Sequence, residues 1–274
     1  MDVRNLGNTA IDEIIESFLL AFDNYFVKMP TDKDYYIKRW KASKVDFNLS
    51  YGMFDNNRLI GFIIHAVDTR NGLLTAFNTG TGVIPEHRGK RIIQTIYAYA
   101  LSNLRKHGVK KTTLEVITEN KIAIQLYKNI GFNICKEYHC CQGEIQNNIL
   151  EHDILLKEVS LNKIEWSTLP NQDVYSWDNQ KESIKNGTYN YFEIIVNAEV
   201  ESYFIINKEL NYIAQFDVLL DQKNNWKRLF SGIKQVSEKI KINNIDKTLN
   251  EKITILNKVK LINTVDQFEM ELEI

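Results

Sequence analysis

The chain has 274 residues, 44% apolar and 25% charged, the composition of a folded globular protein, and its length suits two domains or one large one. Its 34 Lys and Arg and 35 Asp and Glu leave a formal charge of −1, which argues against a general grip on nucleic acid or an anionic membrane and leaves room only for a local basic patch. No apolar run approaches the roughly 20 residues of a membrane span, the start Met1-Asp2-Val3-Arg4-Asn5-Leu6 has no signal-peptide core, and three clustered Cys (Cys135, Cys140, Cys141) make no disulfide framework, so the expectation is a reduced, cytoplasmic protein.

After a short strand-like start, Ile11, Ile14, Ile15, Phe18, Leu19, Phe22 and Phe26 recur at helical spacing, and Pro30 stops the pattern. A second helix is expected over residues 32–44. A hairpin follows: residues 49–54, the turn Asp55-Asn56-Asn57-Arg58, and residues 59–67. A turn at Arg70-Asn71-Gly72 leads into a strand over 73–84, broken by Pro85. Ile92, Ile93, Ile96, Tyr97, Ala100, Leu101 and Leu104 then mark a helix ending near Gly108. A strand over 111–117, a helix over 120–130 closed by Gly131, and strands near 132–141 and 149–157 complete this part. The order is that of an α/β fold with a mixed, twisted sheet and flanking helices.

The remainder resembles the first part. With a shift of 129 residues, 109–138 lie over 238–267 without a gap, matching Val116 to Ile245, Ile124 to Ile253, Leu126 to Ile255, Ile130 to Val259 and Phe132 to Leu261. Either any two strand–helix–strand units align this well, or the chain is a tandem of two similar folds. The expected domains are residues 1–158 and 159–274.

The stretch that carries chemistry is Gly82-Val83-Ile84-Pro85-Glu86-His87-Arg88-Gly89-Lys90-Arg91-Ile92-Ile93. A strand ends, a turn carrying Arg88, Lys90 and Arg91 follows, and a helix begins. Free N–H groups at a helix start bind phosphate, Gly89 lets backbone approach a ligand closely, and basic side chains attract a polyanion. A diphosphate cradle and a merely charged surface turn are both compatible with these residues.

Val83-Ile84-Pro85-Glu86-His87-Arg88-Gly89-Lys90 resembles the fourth strand and acetyl-CoA diphosphate loop of the GNAT superfamily of N-acetyltransferases. Asn120-Lys121-Ile122-Ala123-Ile124-Gln125-Leu126-Tyr127-Lys128-Asn129-Ile130-Gly131-Phe132 resembles its second signature, Asn-x-x-Ala-x-x-Leu-Tyr-x-x-x-Gly-Phe. The two motifs stand in the family's order and spacing, and the resemblance covers roughly residues 1–157. The loop departs from the family's Arg/Gln-x-x-Gly-x-Gly/Ala at two places: Arg91 and Ile93 replace small residues. Arg91 is expected to bar the positive-φ geometry, and Ile93 to add bulk at the helix start.

The resemblance implies acetyl-CoA as co-substrate. Its pantetheine arm would pair with the strand edge at Gly82, Val83, Ile84 and Pro85, and its diphosphate would sit on Arg88, Gly89, Lys90, Arg91, Ile92 and Ile93. Asn120 would contact the cofactor near the thioester, cap a helix, or do both. Tyr127 stands where the family places the acid that protonates the leaving thiolate; the alternative is a core Tyr. Glu115 is a candidate base or a sheet-lining carboxylate. His65, Glu86 and His87 are weaker bases. Phe22, Tyr25, Phe26, Tyr35, Tyr36 and Trp40 fall on helices that border the acceptor site in this fold, or simply pack the core. His139-Cys140-Cys141 lacks further ligands at metal-site spacing, and no metal is expected.

The shift of 129 sets Tyr127 on Leu256, Glu115 on Asn244, Asn120 on Leu249 and Gly131 on Lys260. Asp217 and Asp221 would offer a phosphate the wrong charge. The second domain is therefore expected to be a degenerate, non-catalytic relative of the first. The resulting expectation is acetyl transfer to a primary amine in a ternary complex. A catalytically silent acyl-CoA-binding sensor or scaffold is the alternative, and a non-binding structural pair of domains a third reading. The acceptor, small molecule or peptide, is not legible, and the oligomeric state, a homodimer included, stays open.

Overall fold

Two asparagine-rich turns build the first sheet. Asn56 and Asn57 (φ 48° and 65°), and Asn71 and Gly72 (φ 49° and 79°), are left-handed, the conformation that joins two right-twisted antiparallel strands. In the computed structural model, which describes residues 1–146 and 154–274, they link β2 (Tyr51–Asp55), β3 (Arg58–Arg70) and β4 (Leu73–Val83). β1 (Asp2–Asn5) adds antiparallel to β2, and β5 (Lys111–Ile117) adds parallel to β4.

The chain divides into two units, Met1–Cys135 with Phe268–Ile274, and Lys136–Gln267. In the first, α1 (Ile11–Ala21) and α2 (Lys33–Ser43) cover one sheet face; α3 (Ile92–Lys106) and α4 (Lys121–Ile130) cover the other. β3 is almost uninterruptedly apolar because both its faces are buried. Phe62 and Ile64 meet Phe18 and Trp40 on one side, and Ile60 and Ile63 meet Ile96 and Ala100 on the other.

α1 stops at Ala21, short of the expected end near Phe26. The apolar spacing continues, but Phe22 stacks back on Phe18 with ring centroids 4.4 Å apart, and the Arg88 guanidinium takes the carbonyl of Ala21 at 3.0 Å. That carbonyl is one that a helix end leaves unpaired. α2 begins at its Asp32 cap, whose carboxylate accepts from the Asp34 N–H at 3.0 Å.

The second unit repeats the plan. The shift of 129 carries β6 (Asn133–Glu144) onto β12 (Ile262–Glu273), and α4 onto α7 (Asn250–Lys258). β5 falls within β11 (Lys239–Asp246). Around these stand β7 (Leu155–Val159), α5 (Lys181–Asn186), β8 (Asn190–Val196), β9 (Glu199–Asn207), β10 (Tyr212–Val218) and α6 (Asn225–Val236). The sheet order is β6-β11-β10-β9-β8-β7, antiparallel except for β10 with β11. Of the strand expected over 149–157, residues 149–153 lie outside the described residues.

The boundary expected at 158 does not coincide with this division, which cuts β6 and β12. Residues 133–135 and 268–273 belong to the first unit and the rest of each strand to the second. In the first unit the chain's last strand runs beside β5: the Ile274 N–H donates to the Lys110 carbonyl at 2.9 Å, and Met270 is fully buried. Alternation of apolar residues marks a strand but carries no record of which sheet it joins.

His65 of β3 is fully buried, with Nδ1 2.8 Å from the Leu49 carbonyl. Burial pulls its pKa from 6.5 to about 4. The unfolded chain then binds the proton more readily, so stability is present above about pH 6.5 and is lost as pH falls through about 4. The full difference corresponds to about 3 kcal/mol. His65→Asn is expected to melt with a correspondingly smaller loss between pH 7 and pH 4, measured by thermal unfolding of both proteins across that range.

Candidate active site

The site begins with one extra residue. Along β3, Ile64 faces Gly80 and the next residue, His65, faces Asn78, so Thr79 of β4 has no partner and the strand bulges there. Pairing of β4 with β5 ends at the same level, at Asn78 opposite Leu114. Beyond it the two strands diverge. Ile84 N–H donates to the Ile60 carbonyl at 3.0 Å. By antiparallel alternation Gly82 also faces β3, while Thr81 and Val83 turn their N–H and C=O groups to the open side. This is an unpaired strand edge inside a sheet.

Gly80 and Gly82 serve the opposite face. A Cβ at Gly80 would come within 2.7 Å of Phe18, and one at Gly82 within 2.7 Å of Ala21 and of Phe62. Glycine here lets α1 lie directly on β4.

After Ile84 and a short 3-10 turn, Pro85–His87, the chain enters the basic loop. Gly89 (φ 78°) and Arg91 (φ 56°) are both left-handed, and Arg91 is the N-cap of α3 without a side-chain capping bond. The expectation that Arg91 bars a positive φ is therefore corrected. The arginine adopts it, at the cost of about 1–2 kcal/mol that a non-glycine residue carries there. Ile93 is buried beside Ile92 and Ile96 in the core, so its bulk goes inward. Arg88 is committed elsewhere: besides Ala21, its Nε donates to the Val83 carbonyl at 3.3 Å. The loop thus leaves its cationic side chains Lys90 and Arg91 exposed, and its strongest anion-binding element is the start of the 15-residue α3.

Tyr127 reaches the fork from α4. It is 7% exposed and packs edge-on to Tyr97 and Phe132. Burial raises its pKa to about 12, while hydrogen bonds with the Thr81 and Asn78 side chains pull the other way and the nearby Tyr25 pushes it up. It therefore holds its proton at neutral pH, as an acid must. Asn120 caps α4 by accepting from the Ala123 N–H at 3.1 Å, and its side chain also bonds Tyr25, whose own pKa burial raises. Glu115 is the first β5 residue past the last pair with β4. Leu114 and Val116 lie in the core under α3 and α4, so alternation puts Glu115 on the α1–α2 face. On that face Arg39 Nη1 donates to Thr79 Oγ1 at 2.9 Å.

Asn78, Thr81, Tyr97 and Arg39 were not among the expected site residues. The signal that could have found the first two is the run Asn78-Thr79-Gly80-Thr81-Gly82, polar and glycine residues inside a strand pattern, which marks a bulge. Of the expected aromatic set, Tyr36 and Trp40 are core. Phe22 and Tyr25 line a groove of about 730 Å³ on the outward side of α1, with Leu19, Leu20, Val27 and Met29. His65, opposite Asn78, spends Nδ1 on the Leu49 carbonyl, and Glu86 and His87 lie in the 3-10 turn. His139 spends Nδ1 on Asp266 at 2.7 Å.

The second unit opens its sheet by the same device. Ala214 has no partner on β9, and β10 pairs with β11 only at Tyr212 and Lys241. Here the chain bridges its own fork. Asn179 donates to the Asn243 carbonyl of β11 (3.0 Å), accepts from the Tyr212 hydroxyl of β10 (2.6 Å), and its carbonyl accepts from Gln215 of β10 (2.7 Å). Asn171 bonds Asp217 at 2.7 Å. Lys252, 3% exposed, pairs with Asp217 at 2.8 Å and donates to Tyr175 at 3.0 Å. The cavity left is about 10 Å³, too small for more than one water. Asn224 (φ 66°) caps α6 as Arg91 caps α3, but Asn225 and Trp226 follow in place of the two isoleucines.

Residues 12–132, within the first unit, match the acetyltransferase (GNAT) family. No curated protein sequence matches the chain. The fold is similar to that of a putative acetyltransferase from Pyrococcus horikoshii (14% identity, 100% of this chain and 89% of that one, TM-score 0.71). A tandem GNAT protein from the clavulanic acid biosynthesis pathway is similar at 12% identity (99% and 98% covered, TM-score 0.71). So is a GCN5-related N-acetyltransferase from Sphaerobacter thermophilus (8%, 99% and 95%, 0.69). Among the described residues no helix is long and apolar enough to cross a membrane.

Lys252→Ala leaves Asp217 buried without its cation. The expected loss is about 3–5 kcal/mol of stability, read as a shift of the denaturant midpoint; an unshifted midpoint would mean that the bridge across the second fork is not held by this pair.

Proposed function

We propose that the first unit transfers the acetyl group of acetyl-CoA to a primary amine. The observation that carries this is the fork at Thr79: an open strand edge, a proton-bearing phenol from α4 and an uncapped helix start stand in succession along β4. The residues fit the co-substrate. The Thr81 N–H and carbonyl and the Val83 N–H suit a pantetheine arm added like a strand, while the Val83 carbonyl is taken by Arg88. Gly89, Lys90, Arg91 and the N–H groups of Ile92 and Ile93 suit a diphosphate. Arg88 acts by holding the loop to α1 and β4, which revises its expected role as a direct phosphate ligand.

Bound acetyl-CoA supplies an acyl thioester. The amine comes from the α1–α2 face and its nitrogen bonds the acyl carbon while the carbon–sulfur bond breaks. Glu115, on that face, takes the proton the amine loses. Tyr127, on the other side of the fork, gives its proton to the sulfur, and Asn120 holds the start of α4 so that the phenol is aimed. The products are an amide and a free thiol, and the two protons balance when Glu115 and Tyr127 return to their starting states through solvent. Proximity in this ternary complex supplies much of the rate. The acceptor is a small-molecule or peptide amine.

The second unit is a degenerate GNAT-like domain with no acid at Leu256 and its fork already bridged by Asn179. Calorimetric titration of the whole chain with acetyl-CoA is expected to give one site per chain; two sites would overturn the silent assignment, and none would overturn the function. Tyr127→Phe is expected to lower turnover by about 10²–10⁴-fold with little change in acetyl-CoA affinity. Binding without consumption across alkylamines, polyamines, aminoglycosides and peptides would instead identify a sensor.

A further inference from the structure

Arg88 closes the 3-10 turn that precedes the basic loop. Its backbone is extended (φ −62°, ψ 158°) and its N–H donates to the Pro85 carbonyl at 3.2 Å. Gly89 follows in the left-handed region with open space where a Cβ would stand, and Lys90 and Arg91 are exposed. The loop therefore packs little on its own account, and the Arg88 side chain ties it down. Nε and Nη2, on one edge of the planar guanidinium, donate to two carbonyls of two different elements: Val83 of β4 at 3.3 Å and Ala21 of α1 at 3.0 Å. The first carbonyl belongs to the open edge of β4. The second ends α1, whose last turn carries no basic residue, so Arg88 brings a cation to the negative end of that helix from 67 residues away.

Ala21 is also the root of an aromatic run. Phe22 stacks on Phe18 with ring centroids 4.4 Å apart, Tyr25 meets Phe22 edge-on at 4.9 Å, and Phe26 meets Tyr25 edge-on at 5.2 Å. Phe22 and Tyr25 line the groove on α1. One side chain thus joins the loop offered to the diphosphate, the edge offered to the pantetheine arm, and the helix end from which the aromatic wall springs. We propose that Arg88 is a positioning residue that couples the two substrate sides of the fork. A planar fork seated on two carbonyls admits one relative placement of loop, strand edge and helix end. The freedom that Gly89 leaves in the loop is removed when an anion fills it, and whatever is rigidly joined to the loop is ordered at the same time. The amine then meets a wall that is already ordered, and the cost of ordering it does not fall on amine binding.

The inference rests on the proposed binding of acetyl-CoA, and the test separates the two. Amide hydrogen exchange is followed by mass spectrometry in the full chain, free and saturated with CoA, for the parent protein, Arg88→Gln and Arg88→Lys; thermal unfolding first checks that each is folded. In the parent, CoA is expected to slow exchange in residues 81–93 and also in residues 18–26. In both variants CoA still binds but slows exchange in 81–93 alone. Lysine, charged but unable to fork, behaves like glutamine. Turnover is followed as released thiol with the most active amine of the panel. Both variants are expected to raise KM for that amine about tenfold, the effect of one hydrogen bond from a charged group, and to shift KM for acetyl-CoA less. If residues 18–26 stay protected by CoA in Arg88→Gln, the ligand reaches them without the strut and the inference falls. It falls too if the parent is protected in 81–93 alone, or if Arg88→Lys keeps a CoA affinity that Arg88→Gln loses, the mark of a direct phosphate ligand; in each case the co-substrate reading stands. If CoA changes exchange nowhere and calorimetry finds no binding, both fall. Should one variant fail to fold, the other decides alone.

Discussion

One unpaired residue, Thr79, is the constraint on which the first unit turns. A regular β4 would continue its ladder with β5 and bury the edge that a ligand needs. The extra residue rotates the strand, ends the parallel pairing at Asn78 and Leu114, and leaves Thr81 and Val83 with backbone groups that nothing in the sheet satisfies. The cost is met locally: Asn78 folds back on Gly80 and Thr81, and Arg39 crosses from α2 to the Thr79 hydroxyl. The site is therefore a planned defect in a sheet that is otherwise packed on both faces.

The two units apply the same defect to different ends. Both bulge on the strand that precedes the parallel neighbour, at Thr79 and at Ala214, and both enter the following helix through a left-handed residue, Arg91 and Asn224. In the first unit the opening is lined by a phenol and a glycine-bearing basic loop. In the second it is crossed by the chain itself through Asn171, Tyr175 and Asn179, and Lys252 of α7 pairs in the interior with Asp217 of β10. A buried ion pair is poor evidence of net stability, but it is exacting about geometry, and here it fixes Lys252 of α7 against Asp217 of β10 beside the Tyr175 hydroxyl.

The basic loop shows how a departure from a family pattern can be absorbed. The conformation matters more than the glycine that usually supplies it. Arg91 accepts a left-handed φ, Gly89 supplies a second, and Ile93 points into a core that has room for it. Arg88, the most conspicuous cation of the motif, is used as a strut between the end of α1 and β4.

The sequence by itself determined the elements and the GNAT resemblance of the first part: the helical spacing of Ile92, Ile96 and Tyr97, the asparagine turns, the strand 111–117, the Asn120 cap and the 129-residue repeat all stand where the residues put them. These are local matters of periodicity, capping and turn geometry, each decided within a few residues. Tertiary structure alone decided the rest. Which strand joins which unit at residues 133–135 and 268–273, where α1 stops, what Arg88 touches, and the grouping of Asn78, Thr81, Tyr97 and Tyr127 depend mostly on partners distant in sequence, 19 residues away for Asn78 and Tyr97 and 67 for Ala21 and Arg88. A periodic pattern records which face of an element is apolar, and it holds no information about which distant group will meet a hydrogen bond that the fold leaves open.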